Sequence, residues 1–261
     1  MTSRVPTFFI NLDHDVGRRE ALERQLDALG LPHTRFPGVY GKALPPEALA
    51  RHYDHARALA QSRELTVGEV GCALSHLGVY RAMLEQDLPY ALILEDDAKL
   101  GADVPAVLDA LAQQVSPDEP VVTLLTHIDR YYKRSARPLT AHHDVVKLAN
   151  YQWLAHGYFV TRAAARRMVE QLYPVWLAAD YWYKFEREGI VQMRAVVPYV
   201  IGVQNFDSGS NLEADRAIKS READDRLGLG HHHLHQILVR KFLYQIFVRP
   251  FLGLAKQKKT W

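Results

Sequence analysis

The chain has 261 residues, 48% of them apolar and 24% charged, the make-up of an ordinary folded protein and length enough for one large α/β domain with a short appendage. Its single cysteine, Cys72, cannot form an internal disulfide, so nothing asks for an oxidising compartment, and no window approaches the about 18 uninterrupted apolar residues of a spanning helix. The net charge of +2 hides an asymmetry, because His231 to Trp261 carries Arg240, Lys241, Arg249, Lys256, Lys258 and Lys259 and no acid, which leaves the remainder mildly acidic.

Thr7 to Leu12 (TFFINL) has strand composition, and the apolar run it sits in is too short for the core of an export signal. A helix follows in which Leu22, Leu26 and Leu29 repeat near 3.6, closed by Gly30 and Pro32. A short strand is predicted at Thr34 to Phe36, then a Gly- and Pro-rich loop, PGVYGKALPPEA. In LTVGEVGCALSHLGVYRAMLEQ, Thr66 and Glu69 form a capping box ahead of apolar Val70, Ala73, Leu74, Leu77 and Tyr80, the clearest helix of the chain. A strand at 90–94, a helix at 104–114 and a strand at 121–125 continue the alternation, and this order predicts a mainly parallel sheet flanked by helices. Polar 128–144 is read as a long loop or hairpin. A strand through Phe159 and Val160 then feeds a helix capped by Thr161. Residues 198–203 read as a last short strand. In the tail, Gln236, Arg240, Lys241, Gln245 and Arg249 fall on one helical stripe with apolar residues around the rest, which suits an interfacial membrane helix; a docked helix or a dimer interface fits the same pattern.

The chemistry concentrates in YALILEDDAK, where a buried-strand sequence runs into Glu95, Asp96 and Asp97. Open α/β sheets place ligands at the carboxyl ends of their strands. Adjacent carboxylates repel, and their pKa values rise unless a cation or donors share the site. All-oxygen ligands of this kind suit Mg²⁺ or Mn²⁺ held by one or two carboxylates and substrate phosphates. Strand alternation points Glu95 and Asp97 one way and Asp96 the other. An isolated acid run is explained equally well by a solvated helix N-terminus.

In their order and spacing, INLDHDVGRRE, LTVGEVGCALSHLGVYRAM, YALILEDDAKL and HGYFVTRAAARRMV resemble glycosyltransferase family 25, which holds bacterial lipo-oligosaccharide β-galactosyltransferases and, more distantly, collagen galactosyltransferases. The resemblance spans about residues 7–212. It implies a GT-A type fold, a Rossmann-like mixed sheet flanked by helices, over 1–215, followed by a basic amphipathic helical extension over 216–261. It implies Asp97 as metal ligand with Glu95, and Glu95 or Asp96 near the ribose. Asn11, Leu12 and Asp13 would meet the uridine, Arg18 or Arg19 the phosphates, and Ser75 and His76 the donor pocket. Gln204, with Asp207, Ser208 and Ser210, would close over the donor, and Asp180 would be the general base.

Each assignment has a plainer competitor. Arg18 and Arg19 suit an exposed first helical turn, Ser75 and His76 a hydrogen-bonded core pair aligning their helix on the acid-bearing strand, and Asp180 a helix N-cap. Tyr181, Trp182 and Tyr183 could stack on sugars or fill core space. The cluster His231, His232, His233 and His235 has no acid or cysteine beside it and is left out of the metal site.

The function expected is an inverting, metal-dependent hexosyltransferase using Mn²⁺ or Mg²⁺ and UDP-galactose or UDP-glucose, with a lipid-linked oligosaccharide acceptor. It would be cytoplasmic, peripheral on the inner membrane through the tail, and would bind no nucleic acid. Two rivals stand beside it. One is a metal-dependent phosphatase or phosphotransferase, although EDDAK lacks the last element of a haloacid-dehalogenase motif; the other is a non-catalytic membrane-associated nucleotide-sugar-binding protein.

Overall fold

A computed structural model describes residues 5–149, 153–204 and 253–257. Its first strand, β1 (Thr7–Asn11), is buried nearly throughout. The helix α1 (Val16–Ala28) turns back along it with Leu22 and Leu26 inward, ends before Gly30 at φ 63°, and leads to β2 (His33–Pro37). The stretch read as a loop is one as far as Pro45, with a single 3₁₀ turn at Gly41–Ala43, but its last residues begin a helix, α2 (Pro46–His52), and a further helix, α3 (His55–Gln61), follows. Proline at the first turn of α2 is a helix start as much as a loop signal.

The long helix α4 (Val67–Glu85) has the predicted capping box: Glu69 N–H donates to the Thr66 hydroxyl at 3.1 Å, and Thr66 N–H donates to Glu69 Oε2 at 2.9 Å. Arg63 pairs with the same carboxylate, so a buried Glu69 is fully compensated. The helix lies hard against the loop after β2: a Cβ on Gly71 would come within 2.6 Å of Gly41 N, and one on Gly78 would enter the Phe36 ring.

Strand β3 (Tyr90–Glu95) follows, then a two-residue turn, a short strand β4 (Ala98–Leu100), α5 (Val104–Gln114) and β5 (Val121–Leu124). The polar 128–144 region folds back as β6 (Arg130–Tyr132) and β7 (Arg137–Pro138), with β8 (Asp144–Val146) after it. Then come β9 (Gly157–Thr161), α6 (Arg162–Leu172), capped by Thr161 accepting from Ala164 N–H, α7 (Trp182–Arg187) and β10 (Gln192–Val197). β10 was not expected, and the strand predicted at 198–203 is confined to β11 (Ile201–Val203).

The main sheet has the order β2-β1-β3-β9-β5-β10-β8-β7. β2, β1, β3, β5 and β10 run in one direction, and β9 is inserted against them between β3 and β5. The predicted architecture, a mixed α/β sheet flanked by helices, is therefore observed. Two apolar layers cover it: α4 and α6 supply one core, with Tyr80, Met83 and Met168, and α1 and α5 the other, with Leu22, Leu26 and Leu108. From β1 the chain crosses to β2 on one side and returns to β3 on the other. The crevice between the carboxyl ends of β1 and β3 is thus a topological switch point, where open sheets place ligands.

The expected helical extension needs one correction. Leu254–Lys256 is a strand, β12, paired antiparallel with β6, and Gln257 accepts from Ile128 N–H at 2.8 Å. The apolar pattern that reads as helix also reads as strand over so short a run, and pairing with β6 decides it. The polar stripe from Gln236 to Arg249, Asp207 to Ser210 and the histidine cluster lie outside the described residues. No helix among the described residues is long and apolar enough to cross a membrane.

Candidate active site

The acid run lies at the switch point. β1 and β3 pair with Ile10 opposite Glu95, so Asn11 at the end of one strand lies beside Asp96 just past the end of the other. Asn11 is 1% exposed and its amide is fully used. Its Nδ2 donates to Asp96 Oδ2 at 2.8 Å and to the Asp15 carbonyl at 2.9 Å, and its Oδ1 accepts from Arg35 Nε at 3.1 Å. Arg35 also donates to the Asn11 carbonyl and pairs with Asp13, whose carboxyl it holds below the ordinary value of 3.8. Arg18, in the first turn of α1, faces Asp96 Oδ1 at 3.4 Å. Burial raises the Asp96 pKa nonetheless, with Asn11 and Arg18 opposing it.

Alternation sends Glu95 to the opposite side. Its Oε1 meets His76 Nε2 of α4 at 3.2 Å, while His76 Nδ1 faces the Tyr158 hydroxyl at 2.7 Å and that hydroxyl faces Tyr80 Oη at 2.7 Å. Ser75, one residue earlier, is occupied structurally: its hydroxyl donates to the Gly71 carbonyl and accepts from Val39 N–H, both at 2.8 Å.

Asp97 differs from its neighbours. Burial first, then the charges of Glu95 and Asp96, push its pKa from 3.8 up to about 7, and its Oδ1 is buried without a hydrogen-bond partner. Native proteins rarely leave such an atom unsatisfied, and at a strand end beside two other carboxylates it could hold a cation. The donor set, oxygens only, fits a hard divalent ion. Gln204 closes over this turn, its N–H donating to the Asp97 carbonyl at 2.7 Å and its Nε2 to the Ala98 carbonyl at 2.9 Å.

Asp180 sits apart from the acid run, 5% exposed and just before α7. The N-cap position of α7 belongs to Tyr181, so the capping alternative does not hold; the Asp180 carboxylate accepts from Leu154 N–H at 3.3 Å instead. Leu154 has φ 92°, a conformation that favours glycine, and is held there by Asp180 and by Trp182, whose indole N–H donates to its carbonyl. Two residues on, the His156 carbonyl accepts from Glu95 N–H at 3.3 Å, tying this segment to the acid edge. Trp153, 46% exposed, stacks on Tyr181 with ring centroids 4.6 Å apart.

The structure thus gathers Asn11, Asp13, Arg18, His76, Glu95, Asp96, Asp97 and Gln204 around one edge. Leu12 borders Gly38 in the loop after β2, and Arg19 contributes to the charge around Asp13. Sequence reading missed Arg35, Tyr158 and Trp153. A cation inside a short strand beside the Asn-bearing one was the available signal for Arg35.

The profile described as glycosyltransferase family 25 (LPS biosynthesis protein) matches residues 4–183. The chain belongs to glycosyltransferase family 25. Among similar proteins, a glycosyltransferase 25 family member of Drosophila melanogaster is 28% identical over 170 residues, which are 62% of this chain and 27% of the fly protein. Mouse procollagen galactosyltransferase 2 is 29% identical over 168 residues, again 62% of this chain and 27% of the relative. This family 25 chain therefore spans little more than a quarter of those proteins. The lacto-N-neotetraose biosynthesis glycosyltransferase LgtE of Neisseria meningitidis serogroup B is 27% identical over 233 residues, 81% of this chain and 82% of that one. With the family established, the Rossmann-like sheet flanked by helices is the GT-A type arrangement expected of a family 25 member.

Proposed function

We propose that the protein is a metal-dependent, inverting hexosyltransferase that moves galactose from a UDP-sugar to a hydroxyl of a glycan acceptor. Family membership supports glycosyl transfer, and the galactosyltransferases among its relatives support the sugar. One observation carries the donor site: Asp97, buried beside two other carboxylates at the switch point, with an oxygen lacking a hydrogen-bond partner. Asp97 and Glu95 would hold Mn²⁺ or Mg²⁺, and such an ion, when bound, supplies charge neutralisation for the diphosphate leaving group.

The chain's own residues do the rest. Arg35 and Asn11 lock Asp96 and the end of β1 into a rigid floor for the nucleoside, and Arg18 brings a permanent cation to the phosphate side. His76 fixes the Glu95 carboxylate from behind. Asp180 is the base that takes the proton of the acceptor hydroxyl, and the exposed Trp153–Tyr181 stack beside it supports an acceptor sugar ring docked on an aromatic face. The acceptor would be an oligosaccharide on a lipid, reached at the cytoplasmic face of the inner membrane through the basic segment after Asn211.

Calorimetry of UDP-galactose and UDP-glucose, with and without Mn²⁺, tests the reading. Binding of UDP-galactose that needs the metal and is lost in Asp97→Ala is expected; indifference to both metal and Asp97 overturns it.

A further inference from the structure

His76 and Glu95 have a third neighbour, Cys72, to which donor binding gives no role. Cys72 and His76 stand one turn apart on α4, and Cys72 Sγ, a His76 ring nitrogen and a Glu95 carboxylate oxygen all lie within 4.8 Å of one another. Thiolate, imidazole and carboxylate together differ from the all-oxygen edge around Asp97; this is the donor set of zinc and of cobalt(II), not of magnesium. A tetrahedral centre with Zn–S of about 2.3 Å and Zn–N of about 2.1 Å needs ligand atoms about 3.5 Å apart. His76 Nε2 and Glu95 Oε1 are already 3.2 Å apart. Cys72 is half-buried, and its Sγ already stands within 4.8 Å of both side chains.

The surroundings of His76 strengthen the case. A metal-bound histidine characteristically donates its other ring N–H to a fixed acceptor, which sets tautomer and ring orientation. Here Nδ1 faces Tyr158 Oη at 2.7 Å, and Tyr158 faces Tyr80 at 2.7 Å. Each phenol hydroxyl can donate one hydrogen bond and accept another. Nδ1–H can therefore donate to Tyr158, Tyr158 O–H can donate to Tyr80, and Nε2, 3.2 Å from Glu95 Oε1, is left with its lone pair for a cation. Without metal, the same chain works in reverse, Tyr80 to Tyr158 to Nδ1, with Nε2–H donating to Glu95.

We propose that Cys72, His76 and Glu95 form a second metal site, selective for zinc-like cations, with three protein ligands and one open position. It stands whether or not the donor-site reading does. Because Glu95 serves both, an ion held here draws that carboxylate towards α4 and away from Asp97.

The test is cobalt(II) titrated into the full, metal-stripped chain, read by absorption. Cys72 is the only cysteine in the sequence, so a near-ultraviolet thiolate-to-cobalt band reports this residue alone. The expected result is such a band, displaced by zinc and not by manganese, retained in Asp97→Asn and lost in His76→Gln. Tyr158→Phe, which keeps the ring, should weaken zinc binding about 10–100-fold. Since His76 is buried and its replacement could unfold the chain, zinc protection of the Cys72 thiol from a labelling reagent is measured in parallel on the native protein and on Tyr158→Phe. No thiolate band and no protection overturn the proposal. A band retained in folded His76→Gln, or lost in folded Asp97→Asn, assigns the metal elsewhere and overturns it equally.

Discussion

Replacing Asp97 by Asn should stabilise the metal-free protein in a pH-dependent way. In the folded state Asp97 ionises only near pH 7, against 3.8 ordinarily, because burial and the Glu95 and Asp96 charges oppose its anion. Below pH 3.8 the carboxyl is protonated in both folded and unfolded chains and costs nothing. Between 3.8 and about 7 the unfolded chain ionises while the folded one keeps its proton, so stability falls as pH rises and the loss is complete above about 7. A span of about three pH units at about 1.36 kcal/mol each gives a ceiling of about 4 kcal/mol, shared among three interacting carboxylates. Asn has the same shape and no charge, so its advantage over the native residue should be small at pH 4 and reach about 2–4 kcal/mol at pH 9. For a domain of this size that is on the order of 10 °C in Tm. Thermal and urea melts of both proteins in chelator, from pH 4 to 9, measure it. An equal advantage at both ends of the range, or none, refutes the crowding of charge on which the argument rests. Adding Mn²⁺ at pH 8 should reverse the ranking, since an ion bound by Asp97 stabilises only the native chain.

Asn11→Leu removes a buried amide that serves Asp96, Asp15 and Arg35, and should cost about 2–4 kcal/mol in urea denaturation because partners are left unsatisfied. Gly71→Ala drives a methyl into the backbone at Val39 and Gly41, and a loss of about 1–3 kcal/mol in the same assay is expected. Thr66→Ala opens the capping box and should lower stability by about 1 kcal/mol. Trp153→Ala, at an exposed site, should leave the melting curve unchanged and raise KM for the acceptor while the affinity for UDP-sugar stays constant.

The elements legible in the sequence are those whose signal is local. The Thr66–Glu69 capping box and the apolar repeat behind it announce α4, and an apolar run between Pro89 and three acids announces β3 and the edge at which it ends. What the sequence conceals is set by distant pairing. Nothing in GYFVT says that β9 runs against its neighbours, and nothing in AKL or IGV says that β4 and β11 pair antiparallel, Gly202 opposite Lys99. The same holds inside the site. The family motifs single out Asn11 and Asp96, but that they hydrogen-bond to each other follows only from the register of β1 on β3, and Arg35 enters through the register of β2 on β1. Ser75 was legible as a polar residue in an apolar helix, yet its partner, Val39 N–H, lies on a loop whose path the sequence does not give.

The pairing of β12 with β6 changes how the basic region after Asn211 should be probed. Gln204 is bonded to the Asp97 turn, and Gly253 lies against the body, its carbonyl accepting from Lys133 N–H. Gln204 and Gly253, the described residues on either side of 205–252, are therefore both fastened to the body. Cutting the chain at residue 230 would also strip Leu254–Lys256 from β6 and take the Gln257 amide from Ile128 and Val196. Loss of binding or of activity after such a cut would confound an anchor with a missing strand. Charge reversal at Arg240, Lys241 and Arg249 leaves both fastenings and β12 in place, so it separates the charge of this region from the strand that follows it.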